Sequence, residues 1–315
     1  MKKRRILLAL IMLIISGISL TTATYAWFTA NRAVSVEEID VRAQASGGIQ
    51  ISADATNWSN EVTLDKLKAT GLLNVSNFIP DGALRPVTTI GVNTKTGAFD
   101  FYLGELNDAG DKVKLTSIGD SDGHYVAFDL YFYSATPQTI EFNAGTQVVA
   151  KNVSGSGEAS DAGLKSSVRV GFLVQGNDPT ATPATAIALN SGVVTNQTIW
   201  EPNADVHTDF AENMLGATGV MTTYGGKVAA SDYVVTDGTQ NTTNFQAVNA
   251  DLGLKTSTAD AGYPSGTIFS FNAGITKVRV YVWLEGQDID NEDTASLGTG
   301  VGVKLNFKIA DVAAG

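Results

Sequence analysis

The sequence predicts an all-β protein, an antiparallel β-sandwich or jelly roll with a long loop-rich insertion. Three observations carry that expectation. Short segments of alternating apolar and polar residues recur along the chain, and helical patterns are few. Glycine takes 32 of 315 positions while charged residues make up only 17%, which suits a β-protein with many turns. There is no cysteine, so neither disulfides nor thiolate metal sites hold the fold, and stability must come from a core, from assembly or from oxygen-ligated ions.

The first 26 residues read as a secretory signal peptide. Lys2, Lys3, Arg4 and Arg5 form a basic start, and Ile6 to Leu20 is an apolar run of h-region length. Thr24 and Ala26 occupy the −3 and −1 positions for a cut before Trp27; a cut after Ala23 is the other option. An uncleaved anchor is the competing reading, because Ile6 to Phe28 is long enough to span a bilayer. Removing residues 1–26 leaves 17 Lys and Arg against 32 Asp and Glu, a net charge of −15. Such a charge favours solubility and argues against nucleic acid or anionic lipid as partners. The C-terminal GVKLNFKIADVAAG has no cell-wall sorting motif. The expected location is therefore extracellular or at the cell surface, with signal peptidase as a partner during export.

Along the rest of the chain strands dominate. Residues 27–46 form an N-terminal strand segment. In it Val34, Val36, Ile39 and Val41 alternate, and Glu37 and Glu38 break the phase as a β-bulge would. Gly48 to Ala53 is a second strand. Leu64 to Asn74 is a short helix or an irregular segment, and Ala98 to Leu106 is a strand. His124 to Ser134 alternates an apolar face (Val126, Phe128, Leu130, Phe132) with a mixed one (Tyr125, Ala127, Asp129, Tyr131), the half-buried pattern of a sandwich. Gln138 to Ala144 completes a hairpin. SVRVGFLVQGND (Ser167–Asp178) and KVRVYVWLEGQD (Lys277–Asp288) resemble each other, either by chance or because they hold related places in two packed sheets. Between them, about 179–274 reads as an insertion with a few short strands in a domain spanning 47–315. Gly300 to Asp311 is the final strand.

No catalytic constellation emerges. The chain lacks Cys and H-E-x-x-H, and with only His124 and His207 no three-histidine site can form. His124 reads as a solvated loop residue, and Asp120 to His124 as a turn. Two acidic stretches invite a metal reading. If Ile199 to Asn213 is extended, Asp205, His207 and Asp209 share a face, with Glu201 and Glu212 nearby. In GQDIDNED, Asp288, Asp290, Glu292 and Asp293 offer hard oxygen ligands suited to Ca²⁺, although the EF-hand pattern is not met. A polar loop and a hydrated acidic turn account for the same residues without a metal.

ATYAWFTANRAVSVEEIDVRAQASGGIQIS resembles the N-termini of the TasA/camelysin group of secreted Gram-positive proteins, and KVRVYVWLEGQDID resembles a strand-plus-acidic-turn pattern of the same group. The resemblance covers the first 50 residues and about 15 near the end. It implies a jelly-roll domain, a precursor handled by a dedicated signal peptidase, and extracellular biofilm-matrix fibres joined by donor-strand exchange. On this chain the donor would run from Trp27 to about Val41. Its assembly residues would be Trp27, Phe28, Val34, Val36, Ile39 and Val41, and its partners other copies of the chain or other matrix proteins. The chain departs from that group in length and in its long insertion, and it offers no zinc motif. The expected function is thus a non-enzymatic structural surface protein. The alternative is a secreted binding module for glycans or a host protein, calcium-dependent or not, using aromatics such as Trp200, Tyr224 and Tyr233.

Overall fold

The computed structural model describes residues 34–44, 48–69, 77–81, 84–93, 96–106, 113–119, 122–152, 162–189, 197–215, 217–220, 233–235, 253–286, 288, 290–291 and 299–310. The sequence-predicted signal peptide, Trp27 and Phe28 lie outside these residues. In chain order the strands are β1 (Ser35–Ala43), β2 (Gln50–Ser52), β3 (Glu61–Thr63), β4 (Thr88–Asn93), β5 (Ala98–Leu106), β6 (Val113–Ile118), β7 (Val126–Ser134), β8 (Gln138–Phe142), β9 (Gln147–Asn152), β10 (Val168–Asp178), β11 (Gln197–Glu201), β12 (Tyr233–Val235), β13 (Leu254–Thr256), β14 (Thr267–Phe271), β15 (Gly274–Leu284) and β16 (Thr299–Ile309). Among the described residues four short helices join them: α1 (Leu64–Lys68), α2 (Ala162–Ser167), α3 (Pro183–Ala188) and α4 (Asp209–Leu215). The chain is an all-β sandwich, as its alternation predicts.

Two six-stranded sheets form the main sandwich. Sheet I runs β14-β8-β16-β1-β3, with β9 also pairing β16; sheet II runs β13-β11-β10-β15-β7-β2. Their facing sides interdigitate. Phe142 and Phe307 of sheet I meet Phe172 and Phe132 of sheet II, with ring centroids 5.7 Å apart for Phe142–Phe172 and 5.5 Å for Phe132–Phe307. Such offset aromatic pairs add to the burial of apolar area that drives the sheets together.

Sheet II is covered on its other side as well. A four-stranded sheet III, β12-β6-β5-β4, lays Phe99, Phe101 and Leu103 of β5 on Tyr281 and Trp283 of β15 and Tyr125 before β7. Phe101 stacks on Tyr125 at 4.2 Å. The approach is close because β10 carries Gly171 there: a Cβ at that position would fall 2.6 Å from Phe99 Cε2. This cover over Tyr125 and Ala127, with Ala55 and Ala186 packed beside Tyr131, changes the reading of β7. Its mixed face does not meet solvent, and Asp129 on that face is fully buried, held by Arg279 Nη1 at 3.0 Å and Lys277 Nζ at 3.2 Å.

The two V-R-V strands also differ from expectation. β10 and β15 do not sit in two packed sheets; they are antiparallel neighbours in one sheet, with Val170 opposite Val282. The described strands of 179–274 are woven into all three sheets: β11 and β13 extend sheet II, β14 edges sheet I, and β12 edges sheet III. In the Leu64 to Asn74 stretch, which left a helix open, α1 stops at Lys68, and residues 70–74 lie outside the described residues.

Candidate functional site

The first strand lies inside the sandwich's own sheet. β1 pairs in parallel with β16 from Ser35 opposite Gly300 to Ala43 opposite Phe307, and antiparallel with β3 on its other side. Parallel pairing of two strands so far apart in sequence needs a long crossover; here the whole domain supplies it. Val34, Val36, Ile39 and Val41, four of the six residues expected at an assembly contact, are buried in the main core. The register shifts between Val36 and Glu38, so the bulge expected at Glu37–Glu38 is present. β1 is thus the first described strand of the chain and fills a strand-shaped slot between β16 and β3. It leaves the slot near Gly48, whose φ of 78° is a backbone state that few other residues adopt.

On the outward side β1 is tied by charge. Glu38 lies 2.8 Å from Lys151 Nζ on β9 and 3.8 Å from Lys304 Nζ on β16, and Arg42 reaches Glu61 on β3 at 2.8 Å. Partial burial alone would raise the Glu38 carboxyl. The Lys151 hydrogen bond and the two lysine charges outweigh it and leave the group below its ordinary value.

The two acidic stretches singled out in the sequence come together at one end of sheet II, but not as a ligand cage. Arg169 projects from β10 toward the side covered by sheet III. Its guanidinium meets Glu201 at 2.6 Å, where β11 ends, and Asp288 at 2.5 Å, just past β15. All three side chains are at most 2% exposed. Residues 202–208 are not extended: they turn, Asn203 takes a φ of 51°, and α4 begins at Asp209 with Thr208 Oγ1 accepting from Ala211 N. Asp205, His207 and Asp209 therefore do not share a face. Asp205 accepts the Ala259 N–H at 2.7 Å, and His207 turns inward to Asp290, with Nδ1 2.9 Å from Oδ2.

His207 Nε2 faces the Gly219 carbonyl at 2.8 Å, so it must donate there. Between Nδ1 and the Asp290 carboxylate a proton is then held by one partner or the other. Burial and the neighbouring Asp288 charge push the Asp290 carboxyl up to about 6, against the pull of His207 and the Thr208 N–H. Burial would lower His207, but its bonds to Asp290 and Gly219 raise it above its usual value. All four oxygens of Asp288 and Asp290 face donors of the chain itself: Arg169 and the Asp290 N–H on one, His207 and the Thr208 N–H on the other. A Ca²⁺ ion at these two carboxylates would have to displace them. Glu292 and Asp293 lie outside the described residues. Among the described residues no group of three or more His, Asp or Glu side chains is arranged to hold a metal ion.

His124 is half-buried rather than solvated, and burial followed by the Arg85 charge lowers its pKa. Trp200 is fully buried against Phe142, so it offers no stacking face to a glycan; Tyr224 and the Tyr233 side chain lie outside the described residues. A cavity of about 400 Å³ opens elsewhere, lined by Asp54, Asn57, Trp58, Val62 and Lys66 among others. Sequence reasoning missed Arg169 as an ionic centre. Its signal was available: a charged residue flanked by Val168 and Val170 at the start of an apolar run demands a buried partner.

Comparison with protein-family models, with curated proteins and with solved structures returns no match for this chain.

Proposed function

We propose that the protein is a secreted structural protein of the cell surface whose copies join into fibres or matrix by exchanging the first strand. The observation that carries this reading is the position of β1: the first described strand, seated between β16 and β3, burying Val34, Val36, Ile39 and Val41. A strand near the start of the chain can leave and re-enter such a slot without unthreading any other element. When the slot of one copy takes β1 of the next, every strand contact is kept, and the choice between own and neighbouring strand rests on the linking segment and on concentration. That is the logic of domain swapping, and head-to-tail exchange that does not close yields filaments. The likeness of the first 50 residues to the TasA/camelysin group supports the same reading, as does the acidic charge.

Electron microscopy of the secreted protein, alongside a chain lacking residues 27–43, tests it. Filaments from the first and none from the second are expected; filaments from both, or from neither, count against the proposal.

A second reading, a glycan-binding module, is favoured by the cavity beside Trp58, where a partly buried indole sits near Asn57 and Lys66. Titrating cellobiose while following tryptophan fluorescence would detect it, since Trp200 and Trp283 are fully buried.

A further inference from the structure

Apolar alternation does not by itself fix where β1 sits in its slot. A slip of two residues returns the same kinds of side chain to the core face. Features on the outer face do not survive such a slip. Glu37 is the extra residue of the bulge, and its aliphatic stem lies over Gly300 of β16: a Cβ there would collide with Glu37 Cγ and stand 3.1 Å from the Ser35 carbonyl oxygen. A Cβ on Gly302 would lie 2.8 Å from Lys151 Cε and 3.0 Å from Val149 Cγ2. Neither glycine has a positive φ. They supply space, not an unusual backbone. In the notch they leave, Ser35 Oγ donates to Glu37, and Glu38 is bridged by Lys151 and Lys304.

We propose that the bulge at Glu37–Glu38 and the glycine notch at Gly300 and Gly302 form a register key, so that the slot selects a strand carrying this bulge and its acidic pair: the chain's own first strand or that of a second copy. An apolar strand that alternates without a break has no residue to seat in the notch and none to meet the two lysines. Selection of a second copy's strand rests on the assembly reading; the key itself does not.

Disulfide trapping in the full chain, which has no native cysteine, reads the register directly. Neighbouring strands lie about 5 Å apart, within disulfide reach, whereas positions two residues out of register are about 7–8 Å apart. Asp40→Cys with Lys304→Cys samples the native pairing, and Arg42→Cys with Lys304→Cys a two-residue slip; Lys151, the nearer partner of Glu38, stays in place. The native pair should bridge and the slipped pair should not. Gly300→Ala should shift bridging away from the native pair, and Glu37→Ala added to it should restore that pair, because the colliding stem is gone. Native bridging unchanged by Gly300→Ala, or lost without rescue by Glu37→Ala, overturns the key. Whether the bridges lie within or between chains reports separately on assembly.

Discussion

Asp288 Oδ2 lies 2.5 Å from Arg169 Nη2, and the same nitrogen reaches Glu201, so one buried guanidinium joins the end of β11 to the segment that follows β15. The pairing holds two carboxylates in place where water does not reach. Replacing such a group with hydrophobic residues throughout is tolerated far better than removing one member.

Arg169→Met should therefore lower stability by about 3–5 kcal/mol, because it strands two buried carboxylates. Chemical denaturation measures it. Adding Glu201→Gln and Asp288→Asn to the same chain should return much of the loss; a single substitution that costs nothing would mean that the network is not a stabilising contact.

The His207–Asp290 pair predicts a pH dependence with a definite sign. Both groups hold protons more tightly in the folded chain than in the unfolded one. For Asp290 the stability is complete below 3.8 and is lost as pH rises toward about 6; for His207 it is complete below 6.5 and is lost as pH rises through a higher folded value. Acidifying from pH 8 to pH 5 should raise the contribution of this pair. The melting temperature of the parent, less that of a chain with His207→Gln and Asp290→Asn, should grow over that range. A difference that shrinks instead would reverse the assignment.

Ile39→Ala should cost about 2–5 kcal/mol, the range for emptying a buried branched side chain. Ile39 is 1% exposed in the core shared by both main sheets. Urea unfolding of the monomeric chain checks it, and a loss well below that range would place β1 outside its own sheet.

Gly171→Ala should push sheet III off sheet II, since its Cβ would overlap Phe99 and come within 3.1 Å of Trp283. Overpacking of this kind costs about 1–3 kcal/mol. The near-ultraviolet dichroism of the Trp283 and Tyr281 cluster should change with it, and an unchanged spectrum would show that sheet III has room to spare.

Much of this architecture was legible in the residues. Alternation gave the strands of β1, β7 and β16, and the paired glutamates in β1 announced a bulge, because side-chain phase is a local property. What covers a strand is not local. The mixed face of β7 reads as solvent-facing until sheet III, built largely from the strands just before it in sequence, folds over Tyr125 and Ala127, and Arg279 and Lys277 of β15 enclose Asp129. The two acidic stretches were each visible, yet their meeting through Arg169 and His207 depends on β10 and β15 lying side by side. Glycine in β16 read only as alternation; its use as a notch needs the neighbouring bulge at Glu37.

The most direct measurement mixes two otherwise unmodified chains, one with Asp40→Cys alone and the other with Lys304→Cys alone, under oxidising conditions. Asp40 and Lys304 face each other across β1 and β16. If the first strand passes between copies, these positions meet in different chains, and a covalent pair containing one of each should form as filaments grow. A mixture that stays unlinked, while a single chain carrying both substitutions bridges fully within itself, would show that each copy keeps its own first strand and would contradict assembly by strand exchange.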